Sequence, residues 1–71
     1  MLDRMPPQNI EAEQSVLGAV LIEQSSIAKI SDLLNPEDFY REAHRLIYRA
    51  VLGLFERSEA IDFITVVDIL R

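Results

Sequence analysis

Between Asn9 and Ile22 the apolar residues Ile10, Leu17, Val20 and Leu21 share one helical face, with Glu11, Ser15 and Gly18 opposite. This periodicity predicts an amphipathic helix capped by Asn9. Glu13 and Gln14 break the pattern by projecting toward the apolar side. Either they sit in frayed first turns, where an acid suits the helix dipole, or they make a polar contact to another element or subunit. A short second helix follows, with Ile27, Ile30 and Leu34 as its apolar face and Ser25 or Ser26 as its cap. Asn35-Pro36 ends it. Asn35 can cap the next turn, with Pro36 in the first helical position and Asp38 three residues after the cap. A longer helix then runs to about Arg57. On its wheel Ala43, Ile47, Ala50, Val51 and Leu54 cluster, Leu46 widens one edge, and Tyr40, His44 and Phe55 widen the other. Such an arc covers about half the circumference, more than the ~100° stripe of a surface helix, and predicts a central helix packed on two sides.

The last segment, "IDFITVVDILR", is rich in β-branched residues, but its period is helical. Phe63, Val66, Val67 and Leu70 match the i, i+3, i+4, i+7 template, Thr65, Asp68 and Arg71 face away, and Asp62 is a good cap. No stop signal follows Leu70, so residues 1–71 are expected to be the front of something longer. At the other end, Pro6 and Pro7 predict an extended lead-in over residues 1–8. The expected fold is all-α, a small orthogonal bundle of about four helices with short connecting turns. Its core should contain Leu17, Leu21, Phe39, His44, Ile47, Val51, Leu54, Phe63, Val66 and Leu70.

Composition narrows what such a bundle can be. A chain of 71 residues buries only about 60% of the surface its unfolded form exposes, so its independent stability is marginal. Scaffolds of this size lean on disulfides, a metal or a partner chain. With no cysteine and one histidine, this chain is left with partner burial or with being part of a longer one. A hydrophobic content of 49% with 27% charged residues describes a globular chain rather than a disordered one. No apolar run approaches the roughly 18 residues of a membrane span, and the N-terminus lacks a secretory signal. A soluble, cytoplasmic chain without membrane partners is expected. The net charge of −5 opposes nucleic-acid binding by the chain as a whole.

Candidate chemistry concentrates in "PEDFYREAHRLIYRA", residues 36–50, which holds the sole histidine and both tyrosines. His44 has no cysteine partner, and the serines lie at caps or polar faces with no nucleophile elbow around them. Glu42 and His44 point about 160° apart on a helix, which excludes a shared metal from that pair. Both glycines fall inside helical patterns, so no phosphate-cradling loop is present. No catalytic residue, cofactor site or metal site is therefore assigned. His44, beside Tyr40 and Tyr48, reads as a hydrogen-bonded packing residue, and Phe39 as an anchor of the turn. Arg41, Arg45 and Arg49 form a strip at i, i+4, i+8. Three roles are open to it: a solvated or ion-paired face, a docking surface for an acidic protein or subunit, or a phosphate contact. Glu42 and Glu56 border the same face and oppose the last.

Three blocks of residues carry a resemblance. Pro6-Pro7-Gln8-Asn9-Ile10-Glu11-Ala12-Glu13-Gln14-Ser15-Val16-Leu17-Gly18-Ala19, then Pro36-Glu37-Asp38-Phe39-Tyr40-Arg41 with Ala43-His44, then Ile61-Asp62 with Thr65-Val66, resemble the N-terminal domain of bacterial replicative DNA helicases of the DnaB type. The resemblance spans essentially the whole chain and implies that residues 9–71 are that helical domain, incomplete at its C-terminal end. It further implies a helical hairpin, a linker and an ATPase motor to follow, with ATP and Mg bound in the motor and none in this stretch. The N-terminal domains of such helicases self-associate, as dimers or as the collar of a hexamer, and dock primase and in some systems a helicase loader. Such a protein works in the bacterial cytoplasm at a nucleoid-associated replisome. The rival reading is a small helical single-stranded-DNA-binding or regulatory module. The family commonly has Gly and Pro where Ser58 and Ala60 stand, so the long helix must end on a left-handed non-glycine residue or end differently. It also often has Pro at the position of Glu42, which implies that the long helix starts near Arg41 and that residues 36–40 form a separate turn.

Overall fold

The computed structural model describes residues 9–71, so the extended lead-in expected over residues 1–8 lies outside the described residues. Four α-helices follow one another: α1 (Ile10–Ile22), α2 (Ile27–Leu33), α3 (Glu42–Glu56) and α4 (Phe63–Leu70). Short 3₁₀ turns, Gln24–Ser26 and Pro36–Asp38, lead into α2 and toward α3. The fold is all-helical among the described residues.

Each boundary has a local cause. Asn9 caps α1, its Oδ1 accepting from the Ala12 N–H at 3.0 Å. At the second turn, Asp38 Oδ2 accepts from the Asn35 N–H at 2.8 Å, with Pro36 at the first position. Asp62 caps α4 reciprocally: its Oδ1 accepts from the Thr65 N–H at 2.9 Å, and Thr65 Oγ1 accepts from the Asp62 N–H at 3.0 Å. The expected serine cap of α2 is corrected. Ser25 and Ser26 belong to a turn that runs directly into the helix, Ser26 has helical backbone angles, and its hydroxyl donates to the Glu23 carbonyl at 2.8 Å. No break in the chain is left for a serine to cap.

α3 ends on a left-handed non-glycine residue, Ser58, with φ 58°. The Glu59 N–H reaches the Leu54 carbonyl at 2.9 Å and the Ser58 N–H reaches that of Phe55 at 3.1 Å. This pair of bonds is a Schellman closure, normally built on glycine because a Cβ is strained there.

The helices pack around α3, which touches α1, α2, α4 and the Pro36–Asp38 turn. Leu17 and Val20 from α1, Ile27 from α2, Phe39, then Tyr48, Ala50, Val51 and Leu54 from α3, with Ile61 and Val66, form the core. The molecule measures 38 × 24 × 17 Å. Its thin dimension holds about two helix layers at the usual ~8–10 Å interaxial spacing, so every helix keeps an outward face.

Several core expectations shift with this geometry. Leu21 and Ile47 are half-buried and packed against the core. Phe63 and Leu70, expected inside, are 72% and 44% exposed, because α4 turns only Val66 fully inward. On α3 His44 is buried as expected, Tyr48, left out of the expected core, is fully inside, and Ala43, in the first turn, is exposed. Phe39 packs on the flank of His44 and Tyr48. It is buried at the start of α3, with its ring centroid 5.0 Å from that of Tyr48 and 6.4 Å, edge-on, from that of His44.

Candidate interaction surface

The polar groups of residues 36–50 divide into an inner and an outer set. The inner set begins with Glu13, which reaches from α1 to the start of α3. Its carboxylate accepts from the Tyr40 N–H at 2.6 Å and, at the limit of hydrogen bonding, from the Arg41 N–H at 3.5 Å. His44 Nδ1 lies 2.6 Å from Glu13 Oε1, and an ionised carboxylate only accepts, so Nδ1 carries the proton. Partial burial works to raise the Glu13 carboxyl. The bonds from the Tyr40 N–H, the His44 ring and the Arg41 N–H together outweigh it and hold the group below its ordinary value of 4.5. Of the two sequence readings of Glu13, the polar contact to another element is the one observed; Gln14 is simply exposed.

Tyr48 is fully buried, and its hydroxyl donates to the Leu34 carbonyl at 2.8 Å, with the Ile30 carbonyl at 3.3 Å. It thereby satisfies the unpaired C-terminal end of α2. Burial pushes the Tyr48 hydroxyl up, with the charge of Asp38 adding to the effect, which keeps the donor protonated. His44 and Tyr48 thus serve packing and hydrogen bonding.

The arginine strip does not behave as three equal charges. Arg41 and Arg49 are exposed, whereas Arg45 is half-buried and its Nε donates to the Phe39 carbonyl at 2.7 Å. Arg45 therefore braces the junction between the second turn and α3, and the outer surface is marked by Arg41 and Arg49. Among the described residues, no cluster of His, Cys, Asp or Glu has metal-ligating geometry.

Two features were missed in the sequence. An open groove of about 530 Å³ lies between the Gln24–Ser26 turn and the loop before α4, floored by Ile27, Ala28 and Phe55. Gln24 ties its two sides together, its Oε1 accepting from the Ile61 N–H at 2.7 Å across 37 residues of sequence. No local pattern announces such a bond. The second feature is α4, which carries Phe63 and Ile64, each 72% exposed, beside Ile69 and Leu70 at 40% and 44%. Phe63, Val67 and Leu70 follow one helical face with Ile64 at its edge, and of these Phe63, Ile64 and Leu70 are exposed while Val67 is half-buried.

Comparison with known proteins agrees with this architecture. The model of the DnaB-like helicase N-terminal domain matches residues 5–71. "Replicative DNA helicase DnaC" of Bacillus subtilis is 53% identical over 90% of this chain, which covers 14% of that protein. "Replicative DNA helicase DnaB" of Geobacillus stearothermophilus is 50% identical over 90% of this chain and 14% of its own length. The chain thus spans about one-seventh of these curated relatives, from the 14% coverage of each. The crystal structure of the N-terminal domain of DnaB helicase from Mycobacterium tuberculosis superposes with a TM-score of 0.81 at 48% identity, over 87% of this chain and 43% of that one. With a family match across nearly its whole length and a solved counterpart of the same fold, the chain belongs to the DnaB-like helicase N-terminal domain family.

Proposed function

We propose that this chain is an assembly and docking module of a replicative DNA helicase. In this reading its copies build the N-terminal collar of a hexamer, and its outer surface docks primase, and in some systems a helicase loader, during DNA replication. The parent protein is an ATP-dependent DNA helicase of the bacterial cytoplasm, working at a nucleoid-associated replisome. ATP and Mg belong to its motor domain, and this chain contributes surface rather than a chemical step.

The observation that carries the reading is the outward apolar face of α4 in a member of this family. Phe63 and Ile64 stand side by side, each 72% exposed, with Ile69 and Leu70 at 40% and 44% on the same helix, and contiguous apolar surface of this kind is what protein contacts cover. Arg49 on α3 and Arg41 just before it add exposed positive charge, suited to acidic groups of a protein partner. The net charge of −5 disfavours DNA as that partner.

Sedimentation equilibrium over a range of chain concentrations, with and without primase, tests this. The expected result is reversible association with itself or with primase, weakened by Phe63→Ser combined with Ile64→Ser. A chain that stays monomeric and ignores primase at every concentration would contradict it, as would tight binding of single-stranded DNA that falls steeply with salt.

A further inference from the structure

From Ile10 to Ser15, α1 buries no apolar side chain: Ile10 is half-buried, Glu11, Ala12, Gln14 and Ser15 are exposed, and the Glu13 side chain alone is largely covered, at 13% exposure. Packing against the core begins at Val16 and Leu17. Among the described residues, every hydrogen bond that joins this front half of α1 to a distant element ends on Glu13, which receives the Tyr40 and Arg41 N–H groups and His44 Nδ1. The receiving end is organised for an acid. Arg41, the residue before α3, makes no side-chain cap, so the carboxylate from α1 supplies the acceptor and negative charge that a 15-residue helix favours at its start.

The start of α3 has supports of its own. Arg45 Nε donates to the Phe39 carbonyl at 2.7 Å, Phe39 is buried, and Tyr48 is bonded to the end of α2. Were the Glu13 contact to break, α3 would keep its place and the front of α1 would be what moves. Segments with few buried apolar contacts open at low free energy, in units distinct from the core.

We infer that Glu13 is a latch, and that residues 10–15 open from the α3 start as one unit while the core around Tyr48, Val51 and Leu54 stays closed. The unit joins parts of the chain 27 residues apart, since the Tyr40 amide loses its acceptor in the same event that frees α1. The latch sets how long the face of α3 beneath α1 stays covered.

Native-state hydrogen exchange, read residue by residue in rising urea, tests the inference. In the wild-type chain the amides of Gln14, Ser15, Val16 and Tyr40 should share one opening free energy with a shallow urea dependence. Those of Tyr48, Val51 and Leu54 should follow a steeper one. In Glu13→Gln the first set should exchange about fivefold faster or more, while the core set keeps its steeper dependence. A Tyr40 amide that follows the core set, or that opens independently of Gln14 to Val16, would overturn the latch. So would a Glu13→Gln chain with Tyr40 protection unchanged, or one with no protected core, since Glu13 would then hold either nothing or the whole fold.

Discussion

Replacing Glu13 probes the fold where its two halves of sequence meet. The carboxylate accepts from the Tyr40 N–H and His44 Nδ1, each at 2.6 Å, and from the Arg41 N–H at 3.5 Å. The last bond is too long to contribute much. Two charge-assisted bonds are each worth ~1.5–3 kcal/mol when well shielded. The Tyr40 N–H lies at an exposed site, where water replaces part of what is lost, so Glu13→Ala should cost about 2 kcal/mol overall. Glu13→Gln keeps one acceptor oxygen and the side-chain shape and should cost about 1 kcal/mol. In a domain of this size the alanine variant should melt ~8–16 °C lower.

The pH dependence separates this account from simple loss of packing. Because the folded state holds the Glu13 carboxyl below its ordinary value of 4.5, its contribution is complete above that value and is lost as pH falls through the lower, folded-state value. Urea unfolding followed by helical circular dichroism should therefore show a stability gap between wild type and Glu13→Gln at neutral pH that closes in acid. A gap that persists undiminished well below pH 4.5, or no gap at neutral pH, would refute the reasoning.

Other perturbations test the remaining supports. Ser58→Gly should stabilise the chain by about 1 kcal/mol in the same unfolding assay, because φ 58° strains any residue with a Cβ. Tyr48→Phe should cost ~1–2 kcal/mol by leaving the Leu34 carbonyl without its donor, and a neutral outcome would mean that water reaches that carbonyl. Leu54→Ala, at a side chain only 1% exposed, should cost ~2–5 kcal/mol. Phe63→Ala should stay within about 0.5 kcal/mol in the isolated chain, and a core-sized loss there would place Phe63 inside after all.

Much of this fold is legible in the sequence because its causes are local. Asn9, the Asn35-Pro36-Glu37-Asp38 run and Asp62 act within three residues of themselves, and the structure shows helices or turns starting at each. Periodicity likewise identifies α4 as a helix despite its β-branched residues. The departures arise where a distant residue decides. Ser26 looks like a cap until the preceding turn proves continuous with α2. The wheel of α3 finds the core face but stops short of Tyr48, which packs fully inside against Phe39, and it includes Ala43, which stands exposed in the first turn. For α4 the apolar pattern is real, but pattern alone does not say which apolar residues the chain itself covers, so Phe63 and Leu70 read as core and stand exposed. In the candidate surface, the spacing of Arg41, Arg45 and Arg49 is visible in sequence, whereas the bond that turns Arg45 inward to Phe39 is not. The anomaly of an acid on the apolar side of α1 was the one local hint of the Glu13–His44 contact.

The central claim, that this chain serves replication as a protein-docking surface, is tested most directly by titrating primase into wild-type chain and into Arg41→Glu combined with Arg49→Glu. Both arginines are exposed, so folding should survive, and circular dichroism checks that it does. Saturable binding by the wild type and at least about tenfold weaker binding by the double variant are expected, with the association rate most affected. Saturable binding that is indifferent to both reversals would move the docking surface away from α3. A folded wild-type chain that binds no primase and stays monomeric would contradict the claim itself.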